Sequence, residues 1–460
     1  MNTLRTLASA AIILVCTTTQ ALAMGPRPPS NPHLGLDGSA TMHSDSAASD
    51  TTDLVGPGLR VRSEFVYLGG TCSTVLIHSY GHPVVVCTDF QTKAPVIYII
   101  DQYTKKQLAK MAINQGSTFG GIYAYINQHD QIVIAGGADS LLFIETKNDN
   151  GDWDLSIQQQ VDLSSVIPDG EFLNAINPAA DGGIWFATDK ALLGRYDTYS
   201  GEITATRLQE GEEIHNSFAN SGDGKVAIAT DHALYLYTYR NGEINKLWRQ
   251  SYDRGRARKP GKLSHGTGAS PTFFGPKNGT DYVTILDNAK DGDALLIYHA
   301  QASEQPLLCK VDLPHNVHYA SENSPIGIGN SVITSNTFGY PYPIDGTLPP
   351  SIPNSAPMES GMFRVDIDPQ HNCEIVWSNN VGSAAVPKLS VGDQSIYTFE
   401  RQGEAYYYNV IDFHSGEVLA THPVGEGRIF DTLQLAGNMT FGQVYWQGTT
   451  GGLLKIKPSW

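Results

Sequence analysis

A short apolar pattern that recurs along most of this chain constrains its fold more than any other feature. Three copies end in the same Thr-Asp turn, at residues 84–89, 184–189 and 226–231. Looser copies begin at Ile132, Tyr282, Ser331, Ser395 and Met439. Each copy precedes a second run of β-branched and aromatic residues, which predicts a strand–turn–strand unit. The units are spaced by about 42 to 64 residues, which fits the roughly 40–50-residue period of a β-propeller blade.

The sequence therefore predicts an all-β protein with a single β-propeller over residues 59–460, built from eight four-stranded blades. Seven blades are the alternative, if one looser unit is not a blade. The last unit is short of a strand, and residues 59–68 form an apolar segment ahead of the first unit. We expect this segment to pair with the last blade and close the ring, because closure removes the exposed edges of the sheets. The 46 glycines and the low share of charged residues, 17%, agree with a turn-rich β protein.

Residues 1–23 match a secretory signal peptide. Arg5 supplies the positive start, an apolar run extends to Cys16, and residues 21–23 form a small-x-small cleavage site. The apolar run is too short for the ~20 residues needed to cross a bilayer. We therefore predict a periplasmic or secreted protein without a membrane span. Residues 24–58 are rich in Pro, Ser, Asp and Gly, and this composition predicts a disordered linker.

Export would place the cysteines in an oxidising compartment. Removal of the signal peptide leaves Cys72, Cys87, Cys309 and Cys373. An even number of cysteines without a Cys-x-x-Cys spacing favours disulfides over a zinc site. We expect the pair Cys72–Cys87, since a strand, a turn and an antiparallel neighbour fit between them, and then Cys309–Cys373 by elimination. Buried free thiols are the alternative.

A polar turn follows several of the second strands. The pattern Asp-x-x-Thr or Asp-x-x-Ser-Gly begins at Asp101, Asp197 and Asp412, and a small or aromatic residue follows shortly after. This pattern resembles the repeat of pyrroloquinoline-quinone (PQQ)-type propellers, the quinoprotein alcohol dehydrogenase-like superfamily, over most of residues 70–460. Stretches in the later blades are also similar to exported quinoprotein-like propellers of unknown function: residues 265–272, 322–325, 361–366 and 386–390. The resemblance implies a propeller fold and says less about chemistry.

The segments ahead of the apolar runs in blades five to seven are unusually polar and rich in proline, and we expect them to be innermost strands lining the central channel. Proline is tolerated there, because the innermost edge has no ladder partner. Polar side chains that converge at a channel mouth would form a concave ligand site. The alternative is that they bond backbone groups at strand starts around a water-filled channel.

Within this site we assign acid–base roles to Glu322, as a general base or cation ligand, and to His265, as a proton shuttle. Lys388 or Arg364 could hold an anionic group of the ligand. The full set of expected ligand-binding residues is Thr267, Ser270, Asn323, Asn336, Arg364 and Lys388. A proline-rich insertion at residues 341–357 is the candidate lid. The basic cluster at residues 254–259 is interpreted as a loop between blades.

The resemblance also implies a test for a quinone cofactor. Quinoprotein dehydrogenases stack the quinone on a Trp, in many cases with a disulfide of adjacent cysteines, and hold Ca²⁺ with Glu, Asn and Asp. This chain has no adjacent cysteines, and Glu322-Asn323 supplies only part of a calcium set. A PQQ-dependent dehydrogenase with calcium is therefore the least favoured hypothesis, and the sequence identifies no other cofactor.

Two functions compete on this sequence. The formal net charge of −16 excludes a typical nucleic-acid binder, whose affinity rests on a basic surface. The first hypothesis is an exported propeller that binds a small molecule at its channel mouth, with or without transforming it. The second is a cell-envelope scaffold that holds a protein partner without catalysis. A sealed, polar, lidded channel favours the first, and an open channel with an apolar rim favours the second.

Overall fold

A computed structural model describes residues 24–114, 122–290, 292–314, 318–342 and 348–459. The predicted signal peptide, residues 1–23, lies outside this range. Two strands come before the first blade in the order of the chain: β1 (Thr51–Thr52) and β2 (Val61–Tyr67). Among the described residues no helix is long and apolar enough to cross a membrane.

The ring is made of four-stranded antiparallel sheets. Blades 1 and 2 contain β3 (Gly70–Ile77), β4 (Pro83–Asp89), β5 (Pro95–Ile100), β6 (Gln107–Ala112), β7 (Tyr125–Ile126), β8 (Ile132–Ala135), β9 (Ser140–Asp149) and β10 (Asp152–Asp162). Blades 3 and 4 contain β11 (Leu173–Pro178), β12 (Ile184–Thr188), β13 (Leu192–Tyr196), β14 (Ile203–Arg207), β15 (Ala219–Asn220), β16 (Lys225–Ala229), β17 (Ala233–Arg240) and β18 (Glu243–Ser251).

The second half of the ring repeats this plan. Blades 5 and 6 contain β19 (Thr272–Phe274), β20 (Tyr282–Leu286), β21 (Ala294–His299), β22 (Leu307–Asp312), β23 (Ile326–Ile328), β24 (Ser331–Ser335), β25 (Met362–Ile367) and β26 (Cys373–Asn379). Blades 7 and 8 contain β27 (Lys388–Ser390), β28 (Ser395–Gln402), β29 (Ala405–Asp412), β30 (Val418–Glu426), the 3-10 helix Arg428–Phe430, β31 (Asn438–Thr440), β32 (Val444–Gly448) and β33 (Gly452–Pro458).

The predicted eight-bladed ring and its closure are confirmed. Blade 8 takes its outermost strand from the start of the ring, since β2 pairs antiparallel with β33 in the sheet order β2-β33-β32-β31. The register runs from Val61 opposite Pro458 to Tyr67 opposite Gly452. The two ends of the propeller are therefore joined within one sheet, and every blade has four ring strands.

The core lies between adjacent blades, which explains the continuous apolar runs. The middle strands of each blade are covered on both faces, so β5 is buried along its whole length and β12 is buried throughout. A strand covered on both faces needs apolar residues at every position rather than at alternate ones. The outermost strands are partly exposed, and β10 is polar and exposed at most positions.

Both predicted disulfides are confirmed. Cys72 in β3 lies opposite Cys87 in β4, with an S–S distance of 2.02 Å. Cys309 in β22 and Cys373 in β26 join the outer strands of blades 5 and 6, with an S–S distance of 2.03 Å. Two disulfides are typical of a protein from an oxidising, extracellular compartment.

The segment predicted to be a disordered linker is instead folded against the ring. Residues 24–36 form an outer circuit along the turns between the first and second strands of successive blades. The circuit begins at blade 6, where the Gly329 N–H donates to the Pro26 carbonyl at 3.3 Å. It passes blade 3, where Asn31 Nδ2 donates to the Pro178 carbonyl at 2.8 Å, and it reaches blade 2 at Leu34, which forms a β-bridge with Asn127.

The chain then reverses at Gly38, and residues 39–52 form an inner circuit that returns through the channel. Residues 38–52 are all buried. Most blades donate a backbone or amide N–H to a carbonyl of this circuit, in ring order. The donors are Ile77 to Ser39, Ile126 to Ala40, Asn177 and Asn220 to Ser46, Phe273 to Ala47, Gly327 to Ser49 and Leu389 to Asp50. We call residues 24–52, the two circuits together, the N-terminal cap.

The prediction of disorder is therefore wrong for residues 24–52, and the physical reason lies in their partners. Composition predicts disorder when a segment cannot bury enough apolar surface of its own. The cap is ordered by hydrogen bonds to innermost strands far along the chain, and those strands have no other neighbour on that side. Most side chains of the inner circuit are small Ser, Ala and Thr, which fit a narrow channel.

Candidate functional site

The cap closes one mouth of the channel, and the predicted polar segments surround the other. The outer circuit follows the turns that end the innermost strands. The uncapped mouth is formed by the loops that begin those strands. His265 to Ser270 precede β19, and Glu322 to Pro325 precede β23. The expectation that these segments are innermost strands is wrong for blades 5 and 6, whose innermost strands begin only after Pro271 and Pro325.

Glu322 is the central acidic group of the uncapped mouth. Its Oε1 accepts the Leu263 N–H at 3.1 Å, and its backbone N–H donates to Thr337 Oγ1 at 3.2 Å. Its Oε2 is buried and has no hydrogen-bond partner among the described residues. Burial raises the pKa of this carboxyl group to about 8, although the charges of Lys262 and Arg258 act in the opposite direction. The group is therefore mostly protonated at pH 7 and can donate a hydrogen bond from Oε2.

Two cations flank this carboxyl group. Lys262 Nζ is buried and donates to the carbonyls of Gly266 and Thr267 at 2.5 and 2.9 Å. Burial lowers the pKa of Lys262, and its ammonium is held by structural acceptors. Arg258 Nε donates to the Pro349 carbonyl at 2.7 Å and its Nη1 to the Lys262 carbonyl at 2.5 Å. The Arg258 guanidinium forms no ion pair with any described residue.

The predicted lid is fastened to the loop that contains Arg258. Ser351 forms a parallel bridge with Arg258, and the Ile352 N–H donates to the Arg258 carbonyl at 2.9 Å. Gly261 lies so close to blade 6 that a Cβ there would be 1.8 Å from the Thr337 carbonyl oxygen, at a φ of +84°. Only glycine fits this contact. The two loops therefore form one wall around the uncapped mouth.

A cavity of about 250 Å³ lies between these loops. Residues lining it include Arg258, Gly261, Tyr340, Tyr342, Leu348 and Ser351. The Tyr342 hydroxyl is buried without a hydrogen-bond partner among the described residues. Burial, together with the charges of Glu322 and Asp431, raises the pKa of Tyr342 well above its usual value, so this hydroxyl remains a donor at all physiological pH values.

Other predicted residues lie around the same mouth. Thr267 Oγ1 is buried without a partner among the described residues. Ser270 and Glu322 both lie near enough to the hydroxyl of Tyr123 to affect its pKa, which burial raises. His265 accepts a hydrogen bond from Arg254 Nη2 at Nδ1, at 3.0 Å, and donates from Nε2 to the Arg254 carbonyl at 2.8 Å. Both ring nitrogens of His265 are therefore bound within its own loop, and burial and Arg254 lower its pKa.

The structure separates four predicted residues from this cavity. Asn323 Nδ2 donates hydrogen bonds to Ser335, Ala385 and Gln434. The Asn336 side chain bonds to the backbone of His318, Ala320 and Phe338. Arg364 lies between blades 6 and 7, where it pairs with Asp366 and stacks 4.1 Å from the Phe413 ring. Lys388 is fully buried against the cap, where its Nζ bonds to Met42, Ser44 and Asn438 and pairs with Asp50 at 3.4 Å.

Sequence reasoning missed three residues of the site: Arg258, Lys262 and Tyr342. Two of them had a local signal. Arg258 lies in the basic cluster that was interpreted as a loop, and Tyr342 lies at the start of the predicted lid. Neither signal indicated that the two loops meet, because contacts between loops leave no periodic pattern in the sequence.

The site does not fit a quinone held on calcium. Asn323, the expected partner of Glu322 in a calcium set, directs its amide away into hydrogen bonds with Ser335 and Gln434. Within the described ranges no three His, Cys, Asp or Glu side chains form a group that could hold a metal ion. No tryptophan lines the cavity of the uncapped mouth. We therefore derive no chemistry through this cofactor.

Comparisons with known proteins support the fold. The Sqt1 of Chaetomium thermophilum bound to the N-terminus of the ribosomal protein L10 has a TM-score of 0.57 and 10% identity, over 85% of this chain and 98% of that chain. The Saccharomyces cerevisiae Sqt1 has a TM-score of 0.56 and 8% identity, over 88% of this chain and 100% of that chain. The WD40 domain of SCAP from fission yeast has a TM-score of 0.50 and 10% identity, over 86% and 97%.

These identities show the β-propeller fold alone. No protein-family model and no curated protein matches the chain. The structural neighbours are WD40-like propellers, so the resemblance to PQQ-type propellers holds for the general architecture, and nothing supports membership of the alcohol dehydrogenase-like group.

Proposed function

We propose that this protein is an exported β-propeller that binds a small molecule at the uncapped mouth of its channel. The observation that supports this most directly is Tyr342, which lines the lidded cavity and whose buried hydroxyl has no partner among the described residues; Glu322 Oε2 is a second buried atom without such a partner at this mouth. A buried polar group without a partner costs about 1–3 kcal/mol. Groups of this kind at a concave site are typical of a ligand-binding role.

The closed channel also favours a ligand site over an open scaffold. The cap fills the capped mouth, and the cavity left inside the channel beside His43 and Tyr123 is about 20 Å³, enough for roughly one water molecule. A ligand larger than a water molecule does not fit in this cavity, which favours the uncapped mouth as its site. There Glu322, protonated at pH 7, would act as a hydrogen-bond donor or general acid rather than as the base predicted from the sequence.

The experiment is to purify the full exported chain, extract it and identify released small molecules by mass spectrometry. We expect one molecule per chain, and at least a tenfold loss of its retention in Glu322→Ala, which removes the hydrogen-bonding side chain. Glu304→Ala, at an exposed position, is the matched control and should retain the molecule. A wild-type protein that retains nothing and binds no compound at this mouth would contradict the proposal.

A cell-envelope scaffold for a protein partner is the second candidate. It is favoured by exposed aromatic side chains at the turns of the blades, where Tyr103 and Tyr199 are 77% and 81% exposed. Large exposed aromatic side chains are enriched at protein interfaces. Recovery of a stoichiometric protein partner that Tyr199→Ser releases, from a chain without a small molecule, would favour this function over the first.

A further inference from the structure

We propose that the cavity beneath the lid takes a small carboxylic acid in its anionic form, with the carboxylate bound by Arg258. This inference rests on the proposed function and names the chemical class of its ligand. It is argued from the charge of Arg258, which has no ion pair among the described residues, the donors beside it, and the aromatic and aliphatic side chains in the lining of the cavity.

Among the described residues, the charge of Arg258 has no counterion. Its guanidinium is half-buried, and no carboxylate of the described residues lies within ion-pair distance. Glu322 acts on it electrostatically but forms no ion pair with it, and burial, which raises the pKa of Glu322 to about 8, disfavours the charged form of that carboxyl group. Asp431 is occupied by Arg401 at 3.3 Å and by the Tyr340 hydroxyl. A partly desolvated cation without a partner favours binding of an anion.

Arg258 is also held in one position before a ligand arrives. Its Nε and Nη1 are fixed by the carbonyls of Pro349 and Lys262, and its backbone carbonyl is bound by Ile352. The remaining nitrogen, Nη2, has no hydrogen bond to any described residue. Tyr342 lines the same cavity, and its buried hydroxyl is a second donor without a partner among the described residues. Fixed donors lose little entropy when they bind, which increases affinity.

These donors match a carboxylate better than a phosphate. A single positive charge balances one carboxylate, and the two donors can each bond one of its oxygens. A phosphate dianion would need more positive charge, and Lys262 is committed to carbonyl oxygens. The other lining residues include Tyr340, Pro341, Leu348 and Ala356, which would contact an aromatic or aliphatic body. The volume of about 250 Å³ is below the roughly 300–1,000 Å³ of pockets for drug-sized ligands, so the acid is small.

Benzoate and its neutral isostere benzamide are the probes, measured by ligand-observed NMR titration of the full chain at pH 7 and low salt. We expect benzoate to bind at least tenfold more tightly than benzamide. Arg258→Gln should weaken the binding of benzoate at least tenfold. Arg256→Gln, at an exposed position of the same loop, should leave benzoate binding unchanged. Tyr342→Phe, which leaves the lid contacts of Arg258 intact, should also weaken benzoate, and it tests the site if Arg258→Gln does not fold.

Two results would overturn the inference without affecting the proposed function. One is equal binding of benzoate and benzamide. The other is a retained native molecule that has no acid group and is lost in Glu322→Ala. If the chain retains no molecule and neither probe binds, the proposed function itself fails. Benzoate binding that survives both Arg258→Gln and Tyr342→Phe would place the anion elsewhere and also overturn the inference.

Discussion

The capped part of the channel and its uncapped mouth contain similar residue types but leave their polar groups in opposite conditions. In the capped part, Lys388 Nζ is buried against the inner circuit, with three hydrogen bonds and an ion pair with Asp50. At the uncapped mouth, Glu322 Oε2 and the Tyr342 hydroxyl are buried without partners among the described residues. Satisfied groups stabilise the fold, whereas unsatisfied groups cost stability unless a ligand binds them. Substitutions should therefore destabilise the capped mouth and have little or the opposite effect at the uncapped one.

The largest effect is expected for Arg27→Ala, which removes the main link between the two circuits of the cap. Arg27 pairs with Asp53 at 2.8 Å and Asp37 at 3.1 Å, and its Nε donates to Thr51 Oγ1 at 3.1 Å. It also lies 4.0 Å from Asp45, whose pKa is raised by burial. Leaving a buried charge unpaired costs about 3–5 kcal/mol, so we expect a loss of about 3 kcal/mol in urea unfolding.

Arg60→Ala, at an exposed position, is the control for Arg27→Ala and should change stability by less than about 0.5 kcal/mol. If the loss of stability in Arg27→Ala were as small as that in Arg60→Ala, the two circuits would not stabilise each other. The comparison between the mouths would then fail.

A smaller effect is expected for Gly38→Ala at the reversal between the circuits. Gly38 has a φ of +77°, and a Cβ there would be 2.3 Å from Thr52 Oγ1. The left-handed backbone and the clash together should cost about 2 kcal/mol, measured as a shift of the urea midpoint. Gly403→Ala has a similar positive φ but no atom near its Cβ position. It should cost less, and equal losses would mean that the contact with Thr52 is unimportant.

The uncapped mouth should show a pH-dependent stability that Glu322→Gln removes. The folded pKa of about 8 is above the ordinary value of 4.5, so between these values the folded state binds more protons than the unfolded state. Stability should therefore fall as pH rises through this window, with a limiting slope of about 1.4 kcal/mol per pH unit.

The measurement is the difference in unfolding free energy between wild type and Glu322→Gln at several pH values from 5 to about 8. Taking the difference removes the contributions of other titrating groups to the pH dependence. These groups include Asp293, whose pKa is raised to about 7 by burial, and His265, whose pKa is lowered. A difference that stays constant over this range would show that Glu322 is ionised in the folded protein, and would remove the contrast between the mouths.

The smallest effect is expected for Tyr342→Phe without ligand. Removing an unpartnered buried hydroxyl should leave stability unchanged or raise it by less than about 1 kcal/mol, measured by thermal unfolding. Tyr397→Phe is the contrast, because its hydroxyl donates to Asp393 Oδ2 at 2.5 Å, and it should lose stability. A large loss in Tyr342→Phe would show that this hydroxyl has a structural partner.

How far the site could be predicted differs from residue to residue. Glu322 and Thr267 were found because they lie in polar stretches just ahead of apolar runs, which is a local signal. Arg258 and Tyr342 meet across 84 positions of the chain (342 − 258), through two loops without periodicity. Lys388 has the same local signal as Glu322, yet it faces the cap, because blade 7 begins its innermost strand at that residue.

The sequence by itself determined the blades, their number and the closure of the ring, because each depends on local alternation, on turn residues and on a missing strand that one early segment can supply. Only the tertiary structure decided where residues 24–52 lie. Their order comes from carbonyl groups that accept N–H donors of innermost strands as far as position 438, and hydrogen bonds to backbone carbonyls leave no mark in side-chain composition. For the same reason, only the tertiary structure showed which polar side chains are satisfied and which remain available to a ligand.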